Sequence, residues 1–226
     1  MAAEGAPVPY EFLDLLDADD RRELEARAGR RRFKPGATLT HAGALGSEVL
    51  VLLSGRAKVS IDTEDGREVV LTFCGPGHLI GEFAVIDSEA RSGTTEALEP
   101  IEALALSGPD FLALLEQRPG ISLALLRNLI RRFRDADRIR IEFASAQTLG
   151  RVAARLMELA DRHGEPAADG IAITLPISQE ELAGWAGASR EAAAKALQTL
   201  RELGLVRTER RRIVILDEEG LRRQAA

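Results

Sequence analysis

The chain has 226 residues, 30 of them Lys or Arg and 36 Asp or Glu, for a formal charge of −6, with 45% hydrophobic and 4% aromatic residues. That is room for one large or two small domains. A charged fraction of 29% and a mean hydropathy of −0.08 exclude a disordered chain, no window approaches the ~18 consecutive apolar residues of a membrane span, and the lone cysteine, Cys74, excludes an internal disulfide.

Residues 1–10 carry neither a basic residue nor an apolar run, so they read as no export signal and point to a cytoplasmic location. From Phe33 to about Ser107, Gly and Pro recur every few residues between short β-prone runs at 48–53, 57–62, 68–73 and 101–106, the texture of an antiparallel barrel or sandwich. Asp65-Gly66 reads as a tight hairpin turn, which makes the strands sequential neighbours. Ahead of them, residues 10–32 hold Phe12, Leu13, Leu16 and Leu24 among charges and suit short surface helices.

After Pro119-Gly120 neither Gly nor Pro returns until Gly150, so residues 119–146 form one long helix, about 40 Å at ~1.5 Å per residue. Leu126, Leu129, Phe133, Ala136, Arg140 and Phe143 step by threes and fours along it. That seam suits pairing with a second copy of the chain better than packing on a small β-domain alone. Residues 148–162 form an amphipathic helix with Val152, Leu156 and Leu159 on one face, and a polar linker, two short helices and a hairpin at 207–216 follow. The acid excess is confined to residues 1–146, with 18 basic against 24 acidic residues, while residues 147–226 balance at 12 against 12.

The run from Ile177 to Leu197 carries the most specific local signal. Ser178 with Glu181 three residues on is a capping box, Gly187 supplies a tight turn, Ser189 opens a second helix, and the whole has the layout of a helix-turn-helix. On that second helix Leu197, Leu200 and Leu203 are expected to face the core, leaving Arg190, Glu191 and Lys195 outward. Those side-chain types read guanine, cytosine and guanine or thymine edges in a major groove. Arg210, Arg211 and Arg212 form the tip of a hairpin wing that would position the module on phosphates. In the β-domain, Gly81-Glu82 opens a short helical turn, and Arg91-Ser92 follows at a distance that allows both to close over one anion. A carboxylate there can accept from a ribose hydroxyl while the guanidinium neutralises a phosphate.

With these motifs in this order, the chain resembles the cyclic-AMP receptor protein and fumarate-nitrate regulator family of bacterial transcription factors over nearly its whole length. The resemblance implies an α+β fold with an N-terminal cyclic-nucleotide-binding (cupin-like) β-barrel at 1–118, a dimerisation helix at 119–146 and a C-terminal winged helix-turn-helix at 147–226. It implies a non-enzymatic homodimer that binds a palindromic duplex under control of a cyclic nucleotide, cyclic AMP, and works with RNA polymerase. The effector site carried over comprises Gly81, Glu82, Phe83, Ala84, Arg91, Ser92 and Arg132, with Ala136 and Asp137 where cyclic-AMP-responsive members carry Thr followed by Ser or Asn. Ala136 cannot hydrogen-bond a base, and Gly93 stands where the family has alanine. The DNA-contacting set is Ser178, Ser189, Arg190, Glu191 and Lys195, the last where the family more often has arginine.

Other readings stay open at this point. The pocket could be degenerate, leaving DNA binding independent of any nucleotide, or Cys74 and His78 could form a redox or haem sensor beside it. One cysteine cannot hold an iron-sulfur cluster, His41, His78 and His163 lack metal-ligand spacing, and Ser92 has no nucleophile elbow around it, so neither a metal nor catalysis is expected.

Overall fold

The structure, a computed structural model, describes residues 11–64, 68–209 and 212–225. Its contacts divide the chain into two units, Met1–Ile61 with Thr72–Ala136 and Asp62–Leu71 with Asp137–Ala226. A single 3-10 turn at Leu13–Leu15 precedes α1 (Ala18–Arg27), β1 (Gly29–Phe33), β2 (Thr38–Thr40), β3 (Glu48–Ser54), β4 (Ala57–Asp62), β5 (Glu68–Cys74), β6 (Leu79–Ile80), α2 (Glu82–Ile86), β7 (Thr94–Ala97), β8 (Ile101–Ser107) and α3 (Gly108–Gln117). The 27-residue α4 (Pro119–Ser145) follows. The chain ends with α5 (Thr148–His163), β9 (Gly164–Ala167), β10 (Gly170–Ile173), α6 (Gln179–Trp185), α7 (Arg190–Glu202), β11 (Val206–Glu209), β12 (Arg212–Ile215) and α8 (Glu218–Ala225).

The first unit is a three-layer stack explained by β3. Its central residues are apolar without alternation, as a strand buried on both faces requires. Val49 and Val51 join Phe12, Leu24, Leu104, Phe111, Leu114 and Ile121 in a core between sheet and helices. Leu50 and Leu52 join Leu39, Ala57, Cys74, Ala97 and Ala103 in a second core between two sheets. These sheets have strand orders β1-β8-β3-β6 and β2-β7-β4-β5. Among the described residues they face one another as separate four-stranded sheets, so the barrel of this α+β fold is open.

Three sequence expectations change here. β3 is no neighbour of β4: it pairs with β8 from Glu48↔Ser107 onward and with β6, because the turn at Gly55 carries the chain from one sheet to the other. The Asp65-Gly66 turn lies outside the described residues. Residues 10–32 are also not purely surface helix, since Phe12, Leu13 and Leu24 are buried core, and Gly29–Phe33 is an edge strand paired with β8. Its arginines alternate sides, with Arg30 and Arg32 meeting Glu102 and Arg31 meeting Glu48. Hydrogen bonding from Arg30 holds the Glu102 carboxyl below the usual range.

α4 docks Ile121, Ala124 and Leu125 into the core below it, while Leu123, Leu126, Ile130 and Phe133 are exposed. In the second unit α5 buries Val152, Leu156 and Leu159, and β11-β12-β10-β9 form an antiparallel sheet. The segment 164–167, expected as linker, is strand β9, and α8 adds a helix that the sequence reading lacked. Leu197 and Leu200 are buried on α7, but Leu203 is 53% exposed. It is the residue at the end of α7 where the chain turns away through Gly204, which has φ +70°. No helix among the described residues is long and apolar enough to cross a membrane.

Candidate functional site

Gly81 sits at φ 88°, a left-handed conformation that favours glycine, and starts α2. A Cβ there would lie 1.9 Å from Nη1 of Arg91 and 3.2 Å from the Glu48 carbonyl oxygen, so the missing side chain is what admits the guanidinium. Arg91 is 9% exposed. Its Nη2 donates to the Glu48 carbonyl at 2.8 Å, and its Nη1 is buried with no hydrogen-bond partner. Burial pulls the Arg91 pKa below the usual arginine value, opposed by the negative fields of Glu48 and Glu82. A buried cationic donor left unpaired is costly, and an anion delivered to Nη1 removes that cost.

Glu82 is 2% exposed and accepts from Arg132 Nη1 at 2.5 Å. The Arg132 guanidinium also lies over the Phe83 ring, 4.9 Å from its centroid. Gly81, Glu82, Phe83, Arg91 and Arg132 are therefore brought together by the β6–α2 turn, the loop before β7 and the first half of α4. Ala84 is buried, and its atoms pack where a side chain at Gly46 would otherwise stand, 2.7 Å away. Ser92 is exposed. Ala136 is exposed and Asp137 half-buried on α4, where Asp137 faces Arg140 at 3.6 Å. Glu48, which fixes Arg91 through its backbone, was missed by the sequence reading, because a carbonyl acceptor leaves no side-chain signature.

The neighbouring groups offer a poorer sensor. Cys74 is 3% exposed within the core between the sheets. His78 Nδ1 accepts from the Gly75 amide at 3.2 Å and lies 2.7 Å from Glu11 Oε2. No cluster of three metal-ligating side chains occurs among the described residues.

In the second unit, the Ser178 side chain accepts from the Glu181 amide at 3.1 Å and Glu181 Oε2 accepts from the Ser178 amide at 2.7 Å, completing the capping box. Gly187 turns at φ 57°, and the Ser189 hydroxyl caps α7 by accepting from the Ala192 amide at 3.2 Å. Arg190, Glu191 and Lys195 project from the first turns of α7 and are exposed. In the β11–β12 hairpin, Arg212 is exposed and lies 3.9 Å from Glu209, while Arg210 and Arg211 lie outside the described residues. Arg207 is tied to Asp169 and Glu209, and those hydrogen bonds raise its pKa, the Asp169 bond most. Of the seam residues on α4, Leu126, Phe133 and Phe143 are exposed; so are Ala136 and Arg140. Leu129 instead packs partly against the core below, and Ile130 is exposed beside it.

Residues 30–118 match the cyclic nucleotide-binding domain model and residues 150–224 the Crp-like helix-turn-helix domain model. The chain is 33% identical over 193 residues to the CRP-like cAMP-activated global transcriptional regulator of Mycobacterium tuberculosis, covering 85% of this chain and 86% of that one. It is 34% identical over 179 residues to the cyclic AMP receptor protein of Thermus thermophilus, covering 79% of each. Among solved structures, the c-di-GMP responsive global regulator CLP of Xanthomonas campestris superposes with a TM-score of 0.77 at 25% identity, over 88% of this chain and 99% of that one. A nucleotide-binding module with an anion-ready arginine, followed by a capped helix-turn-helix and matched along most of the chain by these regulators, places the protein in the Crp/Fnr family of transcription regulators.

Proposed function

We propose that the chain is a non-enzymatic, homodimeric DNA-binding regulator of the cytoplasm whose affinity for a palindromic duplex is set by cyclic AMP bound in the first unit. The observation that carries the reading is the buried, unpartnered Nη1 of Arg91 beside the Gly81 turn. Arg91 and Ser92 take the cyclic phosphate, Glu82 accepts from the ribose hydroxyl, and Phe83 and Ala84 line the turn. Arg91 and Arg132 with Glu82 carry one net positive charge, which a monoanionic cyclic phosphodiester cancels. The resemblance puts Ala136 and Asp137 against the base. Losing the hydroxyl of a Thr at position 136 removes about 1 kcal/mol of base recognition and leaves the phosphate contacts untouched. The relatives named for cyclic AMP favour that nucleotide; the neighbour named for c-di-GMP makes the dinucleotide an arm of the test.

On the DNA side, Ser178, Ser189 and Arg210, Arg211 and Arg212 contact phosphates, and Arg190, Glu191 and Lys195 read base edges. Leu126, Leu129, Phe133, Ala136, Arg140 and Phe143 form the seam of the dimer, which sets two recognition helices ~34 Å apart. The functional division is 1–118, 119–146 and 147–226, with RNA polymerase as the partner of the DNA-bound dimer. A fluorescence-anisotropy titration of a palindromic duplex, alone and with cyclic AMP, cyclic GMP or c-di-GMP, tests this. Affinity rises at least tenfold with cyclic AMP. Equal affinity in all four conditions identifies a ligand-independent regulator, and a shift confined to oxidant treatment returns the role to Cys74.

A further inference from the structure

Arg151 lies in the first turn of α5, and the fork of its guanidinium is spent on backbone carbonyls, one hydroxyl and one ring. Nε donates to the Ala186 carbonyl at 2.9 Å, Nη1 to the Ala146 carbonyl at 2.9 Å, and Nη2 to the Gly187 carbonyl at 3.3 Å and the Thr148 hydroxyl at 3.4 Å. Its plane lies over Phe143, 5.4 Å from the ring centroid. Ala146 belongs to the break between α4 and α5, Ala186 caps the end of α6, and Gly187 is the turn of the helix-turn-helix. These are carbonyls that helix ends leave without intrahelical partners, and a cation at such ends is also favoured by the helix dipoles. The same Phe143 ring closes the arrangement from the other side, since a Cβ at Gly187 would meet its Cε1 at 2.2 Å.

From these contacts we infer that Arg151, with Phe143, is the positioning residue that fixes the turn ahead of the recognition helix to the last turns of α4, so that displacement of α4 is passed to α7. α7 begins only three residues beyond Gly187, so the direction of the turn sets where Arg190 and Glu191 point. Gln147, the joint residue, makes no side-chain cap to α5; the joint is held by the arginine one turn later. A lysine keeps the charge but lacks the rigid planar fork that serves separated acceptors. The inference rests on the proposed effector-controlled DNA binding for its functional consequence, and on the second unit alone for its structural one.

The test compares full-length wild type with Arg151→Met, Arg151→Lys and Phe143→Leu. In wild type, cyclic AMP raises duplex affinity; in Arg151→Met the ratio of affinities with and without cyclic AMP falls at least tenfold, while calorimetric affinity for cyclic AMP stays within twofold. Arg151→Lys and Phe143→Leu each lose part of the ratio. Hydrogen exchange is read on the same proteins. Amides 139–146 and 186–188 lose protection by the same factor in Arg151→Met, while the centres of α5 and α7 keep theirs. A ratio unchanged within twofold, or an equal loss of affinity with and without nucleotide, overturns the coupling role. Should wild type bind no duplex, the functional reading fails on its own, and exchange still decides: protection lost at one of the two segments without the other refutes the bridge. If Arg151→Met does not fold, Arg151→Lys carries the same comparison.

Discussion

Replacing Arg91 with Met separates a residue kept for a ligand from one kept for the fold. Without nucleotide, wild-type Arg91 makes one charged hydrogen bond, to the Glu48 carbonyl, and leaves Nη1 buried and unpaired. The bond is worth about 1.5–3 kcal/mol and the orphaned donor costs about 1–3 kcal/mol, so Arg91→Met is expected within about 2 kcal/mol of wild type. With nucleotide the sign changes. Two charge-assisted bonds to the proposed cyclic phosphate would be worth about 3–6 kcal/mol, a loss of roughly 10²–10⁴ in affinity. At cyclic AMP one hundred times the wild-type Kd, wild type gains about 2.7 kcal/mol, whereas a variant bound a hundredfold more weakly gains about 0.4 kcal/mol. At about 4 °C per kcal/mol for a domain of this size, the nucleotide raises the wild-type Tm by roughly 10 °C and the variant's by about 2 °C. Thermal unfolding monitored at several nucleotide concentrations measures both quantities. A variant destabilised by more than 2 kcal/mol without nucleotide, or one that keeps the full nucleotide shift, would refute the reasoning, because Arg91 would then be a structural ion or no ligand at all.

Phe133 is 67% exposed on α4, and Phe133→Glu places a charge in the middle of the proposed seam; sedimentation velocity is expected to show monomer where wild type sediments as dimer. Leu200 is fully buried on α7 and Leu203 is 53% exposed, so in chemical denaturation Leu200→Ala loses about 2–5 kcal/mol and Leu203→Ala less than about 1 kcal/mol. Arg190→Ala removes the proposed bidentate base contact, worth about 1–3 kcal/mol; competition binding against single-base variants of the duplex is expected to show relaxed discrimination at one position in each half-site. A uniform loss over all duplexes instead assigns Arg190 to phosphate.

What the sequence disclosed follows the range of the interactions involved. The capping box of Ser178 and Glu181, the turn at Gly187 and the cap at Ser189 each close within four residues, so residue type and spacing specify them. The strand β3 was legible as a strand, yet its partner β8 begins 53 positions beyond its first residue, and nothing local distinguishes that partner from the adjacent β4. A Cβ at Gly55 would stand 2.2 Å from the Pro100 carbonyl, which shows what the glycine serves: the chain switches sheets there against a segment remote in sequence. β1 misled for a related reason. Three successive arginines have no preference for a strand, and they form one because β8 supplies the ladder and Glu48 and Glu102 the counter-charges.

The two sites differ in the same way. Arg190, Glu191 and Lys195 need only a helix and an exposed face, both of which a short motif supplies. The pocket needs Arg91 to lie beside Gly81 and Arg132 to reach Glu82 from 50 residues away, and Glu48 contributes a carbonyl, which every residue type possesses. Arg151 is the extreme case, because its acceptors are all backbone oxygens except one hydroxyl. Such a residue reads in sequence as one more basic residue on an amphipathic helix. Only the fold reveals that its charge is spent on the protein's own backbone, and that the contacts holding the joint at Gln147 belong to Arg151.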